Sequence, residues 1–278
     1  MAAIKPTDFK AIDTMRHSTA HLMAAAILDL FPEAKLGVGP VIENGFFYDV
    51  LLLKALGSDD LTRIENRMRN IQKRGEAFVR EELPLDQAIE MFRKFKQDFK
   101  VELLDDLRKH GTTNLSEAEA GDVDGSSLDK ASIYKTGRFI DLCRGPHVKT
   151  TSEIGVFKLT AVSGAYWRGN DQNPQMTRIY GVAFATQHEL DEFLNMRVEA
   201  EKRDHRKLGK ELELFTVINE VGLGLPLFYP KGAILRRLVE NYVIDEQEKL
   251  GFVPIWVPHI TRGELYKISG HLAKYDAM

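Results

Sequence analysis

His17-Ser18-Thr19-Ala20-His21, near the start of the chain, and Cys143-Arg144-Gly145-Pro146-His147, much further on, decide how this sequence is read. The first lies in an alanine-rich stretch with helical patterning, so two imidazoles four positions apart project from one face. The second puts the single cysteine of the chain four residues before a third histidine. If the fold brings the two segments together, three imidazoles and a thiol share one place. That set of groups suits either a metal or a metal-free hydrolytic site with several proton donors and acceptors. Each half alone has a plainer reading, because a histidine at helical spacing is more often a surface or core residue than a catalyst.

Composition narrows the class. At 278 residues the chain has room for one large domain or two ordinary ones. Its 38 Lys and Arg against 41 Asp and Glu give a formal charge of −3. This balance excludes a wholly basic nucleic-acid coat but leaves room for RNA binding by a local patch. One cysteine forms no internal disulfide and fits a reducing compartment. The N-terminal residues lack the apolar core of a secretory signal. No apolar run approaches the roughly 20 residues that span a bilayer. A soluble, cytoplasmic protein is expected.

Along the chain, Asp13 or Thr14 is the expected cap of a helix running to about Leu30, which Pro32 ends. Residues 35–50 read as extended, with Glu43-Asn44-Gly45 as a hairpin turn. Ser58, Asp59 and Asp60 open a helix whose stripe is Leu61, Ile64, Met68 and Ile71, and Gly75 stops it. A further helix fits 85–97 between short extended pieces. The Gly-, Ser- and Asp-rich stretch 111–130 reads as a surface loop. Runs at 131–135, 138–143, 155–162 and 176–184 read as one antiparallel set of strands. A long charged helix is expected from Gln187 to about Lys210, its composition that of a solvated face that an RNA backbone can also use. An amphipathic helix over 234–251, a β-rich segment at 252–260 with Pro258 near its end, and a helix over 261–278 complete the reading. That last helix has no stop signal, so the chain is expected to halt inside a domain.

The phrases HSTAH at 17–21, GFFYD at 45–49, DLCRGPHV at 141–148, GAYWRGN at 164–170, RIYG at 178–181, AEKRDHRKLGKELELF at 200–215 and LYKISGHLAKY at 265–275 together closely resemble bacterial-type threonyl-tRNA synthetase. The resemblance covers nearly the whole chain, in family order. It implies an α+β fold. Residues 1–186 are expected to form an editing domain with an antiparallel sheet and helices, of the kind shared with alanyl-tRNA synthetases. Residues 187–210 would be a linker helix. Residues 211–278 would be the first, incomplete part of a class II antiparallel α/β catalytic domain, with motif 1 in the helix near 233–250 and the strand ending at Pro258. The small N-terminal domain, motifs 2 and 3 and the anticodon-binding domain have no counterpart. The resemblance therefore implies a threonine–tRNA ligase fragment that edits seryl-tRNA specific for threonine and does not itself activate threonine. ATP with magnesium, and zinc, are implied for the full-length synthetase at sites outside this chain; His271 is not one of those zinc ligands. The implied partners are threonine-specific tRNA and, through motif 1, a second copy of the chain.

By match to the family motifs, His17, His21, Cys143 and His147 line the editing site, and Lys100 is the editing lysine that positions or polarises the water. Asp141, two residues before the cysteine and on the same side of a strand, is suited to the substrate's α-ammonium. Tyr134 is suited to the substrate or the terminal adenosine. His17 and Lys100 are the preferred proton handlers. Each has a bland alternative: Lys100 as a solvated lysine, Tyr134 as strand packing, Cys143 as a small buried hydrophobe. A covalent role for Cys143 is not expected, since no glutamate or asparagine orienter is visible for a Cys–His pair. Arg144, Gly145 and Pro146 are expected to shape the turn presenting His147, and Trp167 and Arg168 to contact RNA or anchor the core. The four His and Cys ligands also suit zinc, as in the alanine-specific relatives, but the threonine-type phrases favour a metal-free site with no cofactor for editing. Leu51-Leu52-Leu53 departs from the more polar connection usual after GFFYD. Two other readings stand beside the leading one: a free-standing trans-editing hydrolase, and a non-enzymatic tRNA-binding or dimerisation module.

Overall fold

The computed structural model describes residues 6–110, 130–222, 224–259 and 262–271. The chain divides into two units, Met1–Met196 and Arg197–Met278.

The first unit is built around one helix, α1 (Pro6–Leu30). It is already helical at Pro6, so Asp13 and Thr14 lie inside it and cap nothing. Proline suits a first turn because its φ is fixed near the helical value and its missing N–H has no carbonyl to meet there. Every residue from Met15 to Ile27 is buried, the mark of a helix enclosed on all sides rather than laid on a surface. The small side chains of Ala20, Ala24, Ala25 and Ala26 let neighbouring elements approach it closely.

Two antiparallel sheets accompany α1. The first contains β1 (Lys35–Leu36), β2 (Val41–Ile42), β3 (Gly45–Leu51), β7 (Val156–Tyr166) and β8 (Gln175–Phe184), in the order β1-β3-β8-β7 with β2 also pairing β3. The β2–β3 hairpin turns at Glu43 and Asn44, where Asn44 takes φ 61, a conformation asparagine tolerates better than most side chains. The second sheet is β4 (Phe78–Pro84), β5 (Lys130–Thr136) and β6 (Phe139–Leu142). The four late strands expected as one set are thus two pairs in two sheets. The stretch between β6 and β7 is no hairpin: it holds the Cys143–His147 turn and a short 3-10 turn, Thr151–Glu153.

Helix α2 (Ser58–Gln72) starts as expected, with the Gly57 N–H donating to Asp60 Oδ2 at 3.1 Å. The helix expected over 85–97 is two: α3 (Leu85–Lys94) and α4 (Asp98–His110). Lys96 breaks them apart at φ 57, with neither Gly nor Pro to announce it. Gln97 holds the break in place. Its amide donates to Ala34 O at 3.0 Å and its Oε1 accepts from Leu36 N–H at 2.7 Å. The loop expected at 111–130 lies outside the described residues, apart from Lys130 at the start of β5.

Two apolar clusters fill the unit. One packs α1 (Leu22, Met23, Ile27) against Phe46, Tyr48 and Val50 of β3, Ile64 and Met68 of α2, and Ile179 of β8. The other joins Ile89 and Phe92 of α3 and Leu103, Leu104 and Leu107 of α4 to Ile133, Leu142 and Trp167. Trp167 is therefore a core anchor, tilted against Phe99 at 4.8 Å, its Nε1 donating to Glu102 at 3.1 Å. Arg168 is tied to Glu102 and Asp106. Leu51 and Leu52 pack against different clusters and Leu53 is exposed, so the apolar run after GFFYD is a strand end shared between two cores. Asp49 of that phrase is structural: Arg178, its cross-strand partner, donates to both oxygens at 2.7 and 2.8 Å.

In the second unit the expected long helix is interrupted. Helix α5 (Gln187–Lys202), which crosses the unit boundary, ends where Asp204 caps α6 (His205–Glu211) through the Arg206 N–H at 2.8 Å. The short strands β9 (Phe215–Thr216) and β10 (Leu227–Phe228) pair antiparallel. Helix α7 (Pro230–Lys249) starts four residues before the expected 234 because Pro230 is again a suitable first residue. Residues 252–259 form no strand, since no ladder partner lies among the described residues. The final helix is short, α8 (Gly263–Ile268), and closes at Ser269 before Gly270 at φ 74. Residues 272–278 of the expected helix are not described. Among the described residues, no helix is long and apolar enough to cross a membrane.

Candidate active site

Helix α1 carries His17 and His21 into the interior, one turn apart. The turn after β6 returns Cys143 and His147 to them. Their four ligand atoms lie within 4.8 Å of one another. Cys143 Sγ is 3.4 Å from His17 Nε2 and 3.2 Å from His147 Nε2, and it accepts the Gly145 N–H at 3.2 Å. Gly145 sits at φ 77, and a Cβ there would lie 2.2 Å from the Tyr134 hydroxyl, so both its backbone and its lack of side chain are required. His147 is sandwiched by rings: Phe78 stacks on it at 4.9 Å, and His17, His21 and Tyr134 lie 4.3, 4.3 and 4.4 Å away. Burial, then His17, pushes its pKa down to about 2. Burial, then His147, His17 and Lys100, holds His21 well below the ordinary imidazole range. These two rings are neutral near pH 7, and His21 Nδ1 is buried with no hydrogen-bond partner among the described residues.

Beside the imidazoles lies an ionic group. Lys100 and Asp141 are almost wholly buried, at 3% and 1% exposed, and pair at 2.7 Å. Helix α4, absent from the sequence reading as a separate element, delivers Lys100. Tyr48 of β3 completes the group, donating to Asp141 Oδ2 and accepting from Lys100 Nζ at 3.2 Å. The Leu142 N–H adds a bond to Asp141 Oδ1 at 2.8 Å, and His21 Nε2 lies 3.8 Å from Oδ2. Such a pair persists in a low-dielectric interior only when hydrogen bonds compensate both charges, which Tyr48 and Leu142 help to do. Tyr134 faces Asp141 across the β5–β6 ladder, and burial, then Cys143, raises its pKa.

All seven residues nominated from sequence are therefore gathered at one place. Three neighbours were not nominated. Tyr48 and Ser18 stand inside quoted phrases, where strand alternation from Phe46 and adjacency to His17 were the available signals. Phe78 carried none.

The arrangement sets the neutral imidazoles of His21 and His147 and a thiol beside a cation and a carboxylate. The ligand types and the S–N separations also fit zinc; His17, His21, Cys143 and His147 would hold it, and it would supply Lewis acidity.

Known proteins are similar to this chain over the residues that build the site. Residues 131–180, spanning β5 to β8 and including Tyr134, Asp141, Cys143 and His147, match the threonyl and alanyl tRNA synthetase second additional domain. That domain is the editing domain of its enzyme family. Over 266 residues the chain is 47% identical to threonine–tRNA ligases of a Geobacillus species and of Geobacillus kaustophilus, covering 96% of this chain and 38% of each relative. It is 46% identical to that of Dehalococcoides mccartyi, covering 95% of this chain and 42% of the relative. The chain is homologous to a part of bacterial threonine–tRNA ligases and spans about two fifths of the length of these relatives.

Proposed function

We propose that the first unit hydrolyses the ester joining serine to threonine-specific tRNA, and that the longer ligase of which this chain is homologous to a part charges that tRNA with threonine. Serine lacks one methyl group of threonine, a difference worth roughly 1–3 kcal/mol in a binding pocket. A second site that admits the smaller amino acid and excludes the larger removes the errors such a margin leaves. The single observation carrying this reading is the convergence of His17, His21, Cys143 and His147 beside the buried Lys100–Asp141 pair.

The chemistry requires a water near the ester carbonyl, a group to take its proton, and charge stabilisation for the oxyanion. His17, on the face of α1 with its Nε2 3.4 Å from Cys143 Sγ, is the base we favour. Lys100 supplies positive charge beside the reacting carbonyl, with Tyr48 and Asp141 fixing its ammonium. Asp141 is the natural partner of the substrate's α-ammonium, and Tyr134 lies where the amino acid or terminal adenosine would rest. On this reading the site works by a positioned water and no metal. The zinc reading has its own support in the ligand geometry, and a chelator separates the two.

We assign the editing domain to residues 1–186, the connecting helices to 187–210, and the start of a class II catalytic domain, with motif 1 in α7, to 211–278. Self-association through motif 1 accords with the exposed Leu235, Leu238, Val239 and Tyr242 of α7. A cytoplasmic setting suits a partner of tRNA. The test is deacylation of seryl- and threonyl-tRNA specific for threonine, with and without chelator. Chelator-resistant loss of serine alone is the expected result. Loss of both esters or of neither would overturn it, and chelator-sensitive loss would move the four ligands to zinc.

A further inference from the structure

We propose that Ser18 is a positioning residue that fixes the tautomer of His147, keeping the proton on Nδ1 and presenting Nε2 to Cys143 and the histidine cluster as a lone pair. The catalytic consequence rests on the hydrolytic reading above; the tautomer does not.

The inference follows from counting protons around one oxygen. Ser18 is fully buried, and its Oγ has three polar neighbours: Thr14 O at 2.8 Å, the Val148 N–H at 3.0 Å and His147 Nδ1 at 3.1 Å. Val148 N–H can only donate and Thr14 O can only accept. The hydroxyl has one proton to give. Sent to His147, it would leave two oxygens 2.8 Å apart with no hydrogen between them, which is repulsive. Sent to Thr14 O, it leaves the Oγ with two lone pairs, one for Val148 and one for a donor at Nδ1. Only the second arrangement satisfies all three contacts, so His147 must carry Nδ1–H. In a neutral imidazole the other nitrogen is then an acceptor, and Nε2 is the atom 3.2 Å from Cys143 Sγ.

The geometry around the ring strengthens this. Ser18 sits on α1 between His17 and His21, while Val148 directly follows His147. One hydroxyl therefore ties the helix to the turn and sets the ring's protonation together. Phe78, stacked at 4.9 Å with planes 4° apart, resists the ring flip that would put Cδ2 in place of Nδ1. The sequence reading found no glutamate or asparagine orienter for a Cys–His pair; a serine hydroxyl, itself anchored on a helix carbonyl, does the orienting.

The test reads the ring nitrogens by NMR in the full chain carrying isotope-labelled histidine at neutral pH, the His147 signals being those missing from His147→Asn. The unsubstituted protein is expected to show Nδ1–H and a bare Nε2. In Ser18→Ala the preference is expected to be lost, with deacylation of seryl-tRNA falling roughly tenfold or more in kcat at unchanged KM, on the scale of lost orienting partners. Ser18→Thr is expected to restore both. An Nε2–H tautomer in the unsubstituted protein would overturn the proposal even if Ser18→Ala fails to fold. So would an unchanged tautomer in Ser18→Ala, or a shifted tautomer with unchanged kcat. A chain that deacylates neither ester would instead sink the hydrolytic reading, and the ring measurement would still decide the tautomer.

Discussion

The two units dispose of their apolar residues in opposite ways. In the first, Phe46, Tyr48, Ile64, Met68 and Leu104 are each 1% exposed or less. In the second, Leu235, Leu238, Val239 and Tyr242 of α7 are each at least half exposed and Trp256 is 91% exposed. A closed core is what makes a buried ionic and imidazole site affordable: the same Lys100 and Asp141 in the second unit would be solvated and chemically ordinary. Local helix and turn signals suffice to build α7, but they do not by themselves make a site.

Substitutions sharpen that contrast, the largest first. Phe46→Ala removes a wholly buried ring and is expected to cost about 3–5 kcal/mol in chemical denaturation. A loss below about 1 kcal/mol would mean that the first unit is looser than its packing indicates. Lys100→Met leaves the Asp141 carboxylate buried without its cation. The expected loss is again about 3–5 kcal/mol, and Lys100→Met with Asp141→Leu should recover part of it; no recovery in the double variant would deny the coupling.

An intermediate effect is expected from pH. His147 takes a proton near pH 6.5 when unfolded but near about 2 when folded, and His21 is depressed in the same direction. Below pH 6.5 the unfolded chain therefore binds protons that the folded chain refuses. Stability from these groups is complete above pH 6.5 and is lost as pH falls, by up to about 1.4 kcal/mol per pH unit for each histidine. Melting temperatures between pH 7 and 5 test this, and His147→Asn should flatten the slope by one proton's worth. An equal slope in that variant would contradict the burial of a neutral ring. The smallest effect belongs to the second unit: Trp256→Ala should change stability by no more than about 0.5 kcal/mol, and a larger loss would show this tryptophan to be packed.

The sequence made part of this legible, and the limits have physical causes. The i, i+4 spacing of His17 and His21 and the stripe Leu61, Ile64, Met68, Ile71 are periodic signals that survive without tertiary context. The break between α3 and α4 does not, because it depends on Lys96 adopting a left-handed backbone and on Gln97 bonding to Ala34 and Leu36, distant in the chain. Strand partners were equally hidden. The short spacing of the four late strands suggested one sheet, whereas the turn after Cys143 sends them to two. Ser18 and Tyr48 lay inside quoted phrases, but the roles of both depend on residues more than fifty positions away. Recognition of the family supplied Lys100, which no local pattern distinguishes from a solvated lysine.

The most direct measurement is the rate of seryl-tRNA deacylation by the unsubstituted chain, by His17→Ala and by Leu238→Ala on α7. If the cluster in the first unit does the chemistry, His17→Ala should fall roughly 10²- to 10⁴-fold, the usual worth of a positioned proton acceptor, while Leu238→Ala stays at the unsubstituted rate. Equal rates in all three, or a loss confined to Leu238→Ala, would contradict a hydrolytic site at His17, His21, Cys143 and His147.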